Sequence, residues 1–454
     1  MSDLDFEALE FMSKPLVTLL DYNPHLTRLV VTYEIFEIDG VSAAVSKLWH
    51  LQHLDVRSCL QEHATMKNPC LFFQSCLALP QLTELTFHRD MEMYWDHGDE
   101  ITVVSRLKAI INEATIARFS HNPSAKKIKL LRLPANLSGI RNPLPLLLLK
   151  SSLLDLETCE IPWFREDATI QEIEYVVRAH CPNLKHLECS QLFETNQDGQ
   201  AAQAFIRGCT GIQSFTSAYF VDSPDDTPRY ILSELITHHH TTLEVLELTD
   251  PVQVFSHDLQ EILSRCRQLR RFWVIGGDDN DSMPGIAFRD ISRGDWVCTE
   301  LRQLGVILNR CRRERDASGP LGEEEHQDDP HVWLTASATK RAYQQIGQLK
   351  KLEVLAIDID RTSGTKAKEL DYMLDLTLGQ GWLGELAGLK NLRSLMLRAD
   401  FWSGMGQEDV KFMHEHWPLL DEIIISSDDQ ELHTKKHWQW LLEKRPYLHF
   451  KAMQ

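Results

Sequence analysis

A short apolar frame recurs along the whole chain and constrains its fold more than any other feature. In CPNLKHLEC, Cys181 to Cys189, the apolar residues Leu184, Leu187 and Cys189 follow the pattern L-x-x-L-x-[LVIC]. Thirteen frames of this kind begin at Leu26, Leu51, Leu82, Ile128, Ser151, Leu184, Ile212, Leu243, Leu269, Leu301, Leu352, Leu392 and Leu420. An internal repeat predicts a solenoid, because each unit must bury its apolar face against its neighbours.

The spacing of the frames indicates what one repeat contains. Of the twelve steps from Leu26 to Leu420, nine run 23 to 33 residues, and three are stretched to 46, 51 and 40. The shorter steps fit one strand and one helix, and helix-like segments such as QEIEYVVRAH precede several frames. The long steps predict insertions near residues 88–126, 308–348 and 358–390. The sequence RPYLHF around Leu448 predicts a closing unit.

Strand-plus-helix repeats predict an α/β solenoid over residues 24–454, shaped as a horseshoe. A parallel sheet would line its concave side and helices its convex side. Residues 1–23 carry apolar side chains at mixed spacings of three and four, which predicts a short amphipathic helix over Phe6 to Leu20. Such a helix would cap the apolar end of the solenoid. The fifth frame is degenerate, because Ser151 takes its first position ahead of Leu154 and Leu156.

Charge and composition exclude several classes of partner. A formal charge of -19 disfavours binding to the phosphate backbone of nucleic acids. The start, MSDLDFEALEF, lacks the basic and apolar regions of a secretion signal. The longest apolar run, Leu144 to Leu149, is far shorter than the ~20 residues of a membrane-spanning helix. We therefore expect a monomeric cytoplasmic or nuclear protein that binds neither nucleic acid nor membrane.

The ten cysteines favour a structural role. They are scattered without a CxxC pair, and Cys181, Cys209, Cys266 and Cys298 each lie two or three residues before a frame begins. Buried reduced thiols that act as small apolar side chains explain this placement. We expect no cofactor and no metal.

The cysteine-containing start C-P-x-L-x-x-L-x-C and the pitch near 28 residues resemble the ribonuclease-inhibitor-like leucine-rich repeats that are attached to F-box proteins. The resemblance covers the chain from about residue 24. It implies a substrate receptor of an SCF-type ubiquitin ligase. No F-box is legible before Leu26, so an F-box-less relative is the other form of this expectation. An alternative is a GTPase-activating leucine-rich-repeat protein, for which Arg312, Arg313 and Arg361 are candidate edge arginines.

Side chains alternate across a strand, so positions 3, 5 and 7 of each frame should face the concave surface. The early frames place a polar mixture there, namely His53, Asp55, Arg57, Glu84, His88 and Arg132. The middle frames are acidic, with Asp155, Glu157, His186, Glu188 and Glu247. The later frames present Arg271, Trp273, Ile275, Ile307, Val354, Asp358, Met396, Arg398 and Ile424.

Apolar side chains at positions that should be wet are typical of a protein-binding surface. The alternative is that an inserted loop covers them. The residues predicted to bind a protein partner are Arg271, Trp273, Ile275, Ile307, Asp358, Met396, Arg398, Glu188 and Glu247.

Two patterns resemble catalytic or metal-binding motifs. In LAIDIDRTSG, Asp358 and Asp360 have the D-x-D-x-T spacing of phosphatases that use an aspartate nucleophile. The repeat frame already explains both as the end of a strand. His414 and His416 are two residues apart, so a helix would separate them, unlike the i, i+4 pair of a zinc motif. We expect a non-enzymatic protein with no catalytic residue.

Overall fold

The chain, as a computed structural model, has a set of well-placed segments on which the following account rests. The described residues are 3–8, 13–33, 35–36, 38–58, 64–67, 72, 75–76, 79–87, 91–94, 128–132, 153–160, 169–189, 196–217, 227–249, 254, 256–274, 285–291, 294–309, 336–359, 376–379, 381–397, 404–425 and 435–452. Among these, the chain divides into two compact units, Met1–Phe215 and Thr216–Gln454.

The first unit is built on a row of parallel strands. In sheet order they are β1 (Asp3–Ala8), β2 (Arg28–Tyr33), β4 (His53–Ser58), β6 (Glu84–Phe87), β8 (Leu130–Arg132), β9 (Thr158–Glu160) and β10 (His186–Cys189). A smaller parallel sheet comprises β3 (Ile35–Phe36), β5 (Ala64–Lys67) and β7 (Met91–Tyr94). The helices are α1 (Ser13–Tyr22), α2 (Ile38–Val45), α3 (Ile170–His180) and α4 (Asn196–Gly208). Strand β11 (Ser214–Ser217) begins in this unit and ends in the second.

The second unit repeats the same arrangement. Its parallel strands, in sheet order, are β12 (Val245–Leu248), β13 (Arg271–Val274), β15 (Gln303–Asn309), β16 (Val354–Ile359), β17 (Ser394–Leu397), β18 (Glu422–Ile425) and β19 (His449–Ala452), and β14 (Ile286–Ala287) pairs with β15. Its helices are α5 (Thr227–His239), α6 (Ser256–Arg265), α7 (Phe288–Ile291), α8 (Ala336–Gly347), α9 (Gln407–His416) and α10 (Lys436–Lys444), with a 3-10 helix at Leu383–Leu386.

The alternation predicted from the frames is confirmed in most described strands. In β10, Leu187 and Cys189 are buried, whereas His186 and Glu188 are half-buried. Strands β6, β11, β12, β13 and β18 have the same pattern. The side of the strands that carries frame positions 3 and 5 is called the strand face below.

Backbone hydrogen bonds hold neighbouring repeats in register. The N–H groups of Lys185 and His186 both donate to the carbonyl oxygen of Glu157, each at 2.9 Å. The same two-to-one arrangement recurs from repeat to repeat, as where Arg302 and Gln303 both donate to Arg270. Because position 2 accepts both bonds in most of the described frames, a shift by one residue would break them and turn core leucines to the other face.

The fifth frame was placed wrongly by the sequence pattern. Strand β9 pairs His186 with Thr158 and Leu187 with Cys159, so the true frame begins at Leu156. Leu156 and Cys159 are both buried, and 28 residues then separate Leu156 from the frames before and after it. A cysteine in place of the second leucine concealed this register. Asp155 and Glu157 are therefore not on the strand face; Thr158 and Glu160 hold positions 3 and 5.

The predicted N-terminal helix is also corrected. Residues Asp3–Ala8 form strand β1, which pairs in parallel with β2 and aligns Leu4 with Leu29 and Phe6 with Val31. The helix begins only at Ser13. The alternating Leu4, Phe6 and Ala8 have the period of two that suits a strand, and the available edge of β2 supplies its hydrogen-bonding partner.

All cysteines in the described part of the chain are free and buried, as predicted. They are Cys76, Cys159, Cys181, Cys189, Cys209, Cys266 and Cys298. Burial raises the pKa of Cys181 and of Cys266 to about 12, which keeps these thiols protonated. They act as small apolar side chains in the turns and strands.

Buried side-chain amides hold the segment between β13 and β15. Its described residues form strand β14, the four-residue helix α7 and a stretch without regular secondary structure from residue 294 to 302. Gln345 Nε2 donates to the carbonyl oxygens of Ile291 and Gly294 at 2.8 and 2.7 Å. Gln260 Nε2 also donates to Gly294, and Gln260 Oε1 accepts from the indole N–H of Trp296 at 2.8 Å. Helices α6 and α8 thus hold this segment from both sides.

The predicted insertions lie largely outside the described residues. Within them, the structure describes Met91–Tyr94 as β7, Ala336–Gly347 as the repeat helix α8 and Leu383–Leu386 as a 3-10 helix. The insertion boundaries, and the prediction of one repeat domain over residues 24–454, stay predictions.

Candidate protein-binding surface

The register of the second unit aligns one residue from each strand into a row on the strand face. The row, called the Trp273 row, consists of Glu247, Trp273, Gly305, Ala356, Met396 and Ile424. Each residue is position 5 of its frame, so the sequence pattern alone brings these side chains onto adjacent strands about 4.8 Å apart.

Trp273 is the largest side chain of this row and is half-buried. Arg271, two residues earlier on the same strand, places its guanidinium carbon 5.6 Å from the centre of the Trp273 ring. Arg271 Nη2 also donates to Glu247 Oε1 on the preceding strand at 3.0 Å. The arginine is therefore held between a carboxylate and an aromatic face, which fixes the orientation of both its neighbours.

The middle of the strand face is covered, which corrects one predicted site residue. Ile307 is only 2% exposed and Ala356 is fully buried, and Gly305 is buried as well. Ile307 therefore contributes to the packed interior and is not available to a partner.

Beyond the covered part, apolar side chains are again half-exposed. Met396 and Ile424 are half-buried, as is Val354 at position 3 of its strand. Polar side chains border these apolar ones: Ser394 Oγ donates a hydrogen bond to Glu422 at 2.8 Å. The second unit thus presents a strand face with an aromatic and cationic end at Trp273 and an apolar end at Met396 and Ile424.

Other predicted site residues cannot be placed on this surface. Ile275 and Arg398 lie outside the described residues, and so do Arg312, Arg313 and Arg361 of the GTPase-activating alternative. Asp358 belongs to β16 and pairs in register with Ile307, but the structure describes only its backbone.

The strand face of the first unit is polar, as the sequence predicted. His53 Nδ1 lies 2.8 Å from Glu84 Oε2 on the neighbouring strand. On the same strand as His53, Arg57 Nη2 lies 2.7 Å from Asp55 Oδ2. Charged groups here pair with one another across and along the strands, so the surface offers few uncompensated charges to a partner.

One ion pair of this face spans an intervening strand. Arg132 on β8 donates from Nε to Glu188 Oε2 on β10 at 2.7 Å, and its Nη2 also donates to Glu188 Oε1. Glu160 of β9 lies between them in register and is only 4% exposed. The hydrogen bond with Glu188 raises the pKa of Arg132, and Glu160 contributes in the same direction. Sequence reasoning missed Glu160 because the fifth frame was misplaced.

Histidines in the last turns of α5 and α9 have structural partners. His238 Nε2 lies 3.1 Å from Glu234 Oε2 one turn earlier in α5. His416 stacks on Phe412 with ring centroids 4.2 Å apart, and His414 Nδ1 accepts a hydrogen bond from Arg445 Nε at 3.1 Å. Within the described residues, no group of three or more His, Cys, Asp or Glu side chains could hold a metal ion.

A search of the described helices also finds none that is both long enough and apolar enough to cross a membrane.

Comparisons with known proteins give structural likenesses but no match at the level of sequence. No protein-family model matches the chain, and no curated protein sequence matches it. Among solved structures, the chain is similar to the leucine-rich repeat-containing protein LegL7 from Legionella pneumophila, with 11% sequence identity and a TM-score of 0.32. The similarity covers 84% of this chain and 97% of that chain.

The fold is an α/β leucine-rich-repeat solenoid. Its own frames decide this, because each described frame supplies a strand of a parallel row, and helices precede most of the strands whose connecting segment the structure describes.

Proposed function

We propose that the protein is a protein-interaction scaffold, and that a partner binds the strand face of the second unit with Trp273 as its main contact. The observation that carries the proposal is the half-buried Trp273 ring, which the Glu247–Arg271 pair holds in one orientation. Trp and Arg are the residue types that dominate binding energy at protein interfaces.

The surroundings of Trp273 support this choice. A side chain that is already ordered loses little conformational freedom when a partner binds, so more of the contact energy appears as affinity. The half-buried Val354, Met396 and Ile424 add apolar area along the same face. Glu422 and its neighbours give the polar border that interface rims have.

Affinity purification of the full chain with quantitative mass spectrometry tests the proposal. We expect Trp273→Ala to lose most of a specific partner, because truncating a central interface tryptophan weakens binding by about 30-fold or more. The matched control is Tyr447→Ala, which removes an exposed aromatic ring from a turn of the same unit. Retention of every partner by Trp273→Ala, at an unchanged unfolding midpoint, would contradict the proposal.

A finer form of the proposal is that the scaffold acts as a substrate receptor of an SCF-type ubiquitin ligase. It is supported by the cysteine-containing start of the repeats, whose Cys181, Cys209, Cys266 and Cys298 are all buried. Under this form, cullin-scaffold subunits copurify with both wild type and Trp273→Ala, because the ligase contact and the substrate contact are separate. If cullin-scaffold subunits are absent from a wild-type preparation that retains other partners, only the finer form fails.

A further inference from the structure

Four exposed rings lie at the end of α1 and in the turns that lead into β2 and β4. They are Tyr22, His25, Trp49 and His50, and the surface that carries them is called the aromatic edge. Tyr22 is 81% exposed and Trp49 is 64% exposed. The rings of His25 and His50 lie with their centroids 5.3 Å apart. Large aromatic rings that remain this exposed are unusual on a protein surface and mark contact sites when they occur together.

Two contacts join the chain segments that carry Tyr22 and Trp49. Lys47 Nζ lies 2.7 Å from Asp21 Oδ1, next to Tyr22 in the chain and two residues before Trp49. The two residues of the second contact follow these rings in the sequence: His25 comes three residues after Tyr22, and His50 comes directly after Trp49. The rings are therefore bracketed by contacts between the same two repeats.

The fold itself does not require aromatic residues at these positions. Trp49 stands two residues before its frame leucine, and other repeats have Pro182, Thr210, Arg267 and Thr299 at the equivalent place. The turns at Pro182, Arg267 and Thr299 form with the same backbone hydrogen bond that links Leu51 to Leu48. The exposed indole therefore has no evident structural task.

We propose that the aromatic edge binds a protein segment that carries arginine side chains. The faces of Trp and Tyr rings attract guanidinium groups, and arginine is the cation most often found over them. The charge of -19 favours a basic segment and opposes both nucleic acid and a second copy of this chain. Lys47, the nearest cation in the sequence, is already paired with Asp21. This surface lies in the first unit and does not rest on the Trp273 proposal.

Fluorescence anisotropy with a labelled peptide of alternating glycine and arginine tests this inference on the full chain. The variants are Tyr22→Ala, Trp49→Ala and the double variant, none of which changes the net charge. The matched control is Tyr175→Ala, which removes another ring of the same unit that is 67% exposed. A second peptide, with citrulline in place of arginine, keeps the shape of the side chain and removes its charge.

We expect each single variant to raise Kd for the arginine peptide about two- to fivefold, and the double variant about tenfold, as exposed cation–π contacts would. Tyr175→Ala should bind as wild type, and the citrulline peptide should bind more weakly than the arginine peptide. Equal affinity of wild type and the double variant would mean that net charge alone attracts the peptide, which overturns the inference. Equal weakening by Tyr175→Ala, or equal affinity for the citrulline peptide, would also overturn it.

Discussion

Arg132 donates two hydrogen bonds to the carboxylate of Glu188, although a whole strand lies between the strands that carry them. The bridged strand contributes Glu160, which is only 4% exposed, pairs in register with Glu188 and also raises the pKa of Arg132 through its charge. One guanidinium therefore serves two carboxylates from two successive repeats. This arrangement ties three repeats together through side chains, in addition to their backbone ladder.

Replacing this arginine should destabilise the first unit. We expect Arg132→Met to lower the free energy of unfolding by about 1–2 kcal/mol, because two neighbouring carboxylates lose their common cation. Urea denaturation measures the change. Lys129→Met is the matched control, since Lys129 makes only a 3.6 Å, largely exposed pair with Glu157; it should change stability by less than about 0.5 kcal/mol. Equal effects of the two variants would contradict the bridging role.

Ser217 occupies a core position at which an apolar residue should be more stable than serine. Its side chain is fully buried, and its Oγ has no hydrogen-bond partner among the described residues. The equivalent frame position holds Cys189 and Leu248 in other repeats. We expect Ser217→Ala to raise the free energy of unfolding by about 0.5–1 kcal/mol, because a buried hydroxyl without a partner is removed. A loss of stability in urea denaturation would show that the hydroxyl has a structural role.

Arg445 lies three residues before the frame leucine, where other repeats have a buried cysteine. Its side chain caps the C-terminal end of α9, the helix of the preceding repeat. Its Nη1 donates to the carbonyl oxygen of Trp417 at 2.7 Å, and its Nη2 donates to that of His414 at 2.5 Å. We expect Arg445→Met to lower the free energy of unfolding by about 3 kcal/mol, because buried carbonyl groups lose their donors. Lys444→Met, one residue earlier and exposed, is the control and should be nearly neutral. A thermal or urea midpoint as high as wild type for Arg445→Met would contradict this.

The same contact predicts a pH dependence. Burial lowers the pKa of His414, and Arg445 and Lys444 act in the same direction while Glu415 opposes them. His414 Nδ1 accepts from Arg445 Nε at 3.1 Å, which requires an unprotonated nitrogen. A histidine with a lowered folded pKa stabilises the fold fully above the ordinary value of about 6.5, and that stability is lost as pH falls below it. Unfolding midpoints from pH 8 to pH 5 should therefore fall less steeply for His414→Gln than for wild type; identical slopes would assign the dependence to other groups.

The sequence pattern located most of the sheet because the frame is defined by large apolar residues at fixed intervals. It failed at β9, where Cys159 takes the place of a leucine, and the error concealed the buried Glu160. It also predicted that Ile307 is exposed, because a period of two indicates the side of the sheet on which a residue lies but not what covers it.

Long-range polar contacts were beyond the reach of the pattern. Gln260 and Gln345 lie in ordinary amphipathic helices, and their partners Ile291 and Gly294 belong to a segment without a frame. Nothing in the spacing of these residues indicates that the amides meet the same backbone. The same holds for the pair Arg271 and Glu247, whose contact depends on the register between two strands.

The most direct test of the proposed protein-binding role is the dissociation constant of a purified partner for wild type and for Trp273→Ala. Isothermal titration calorimetry on the full chain, with a partner recovered by affinity purification, provides it. The proposed role predicts that Trp273→Ala raises Kd by about 30-fold or more while Tyr447→Ala leaves it unchanged. A Kd for Trp273→Ala equal to that of wild type would place the partner's contacts elsewhere on the protein.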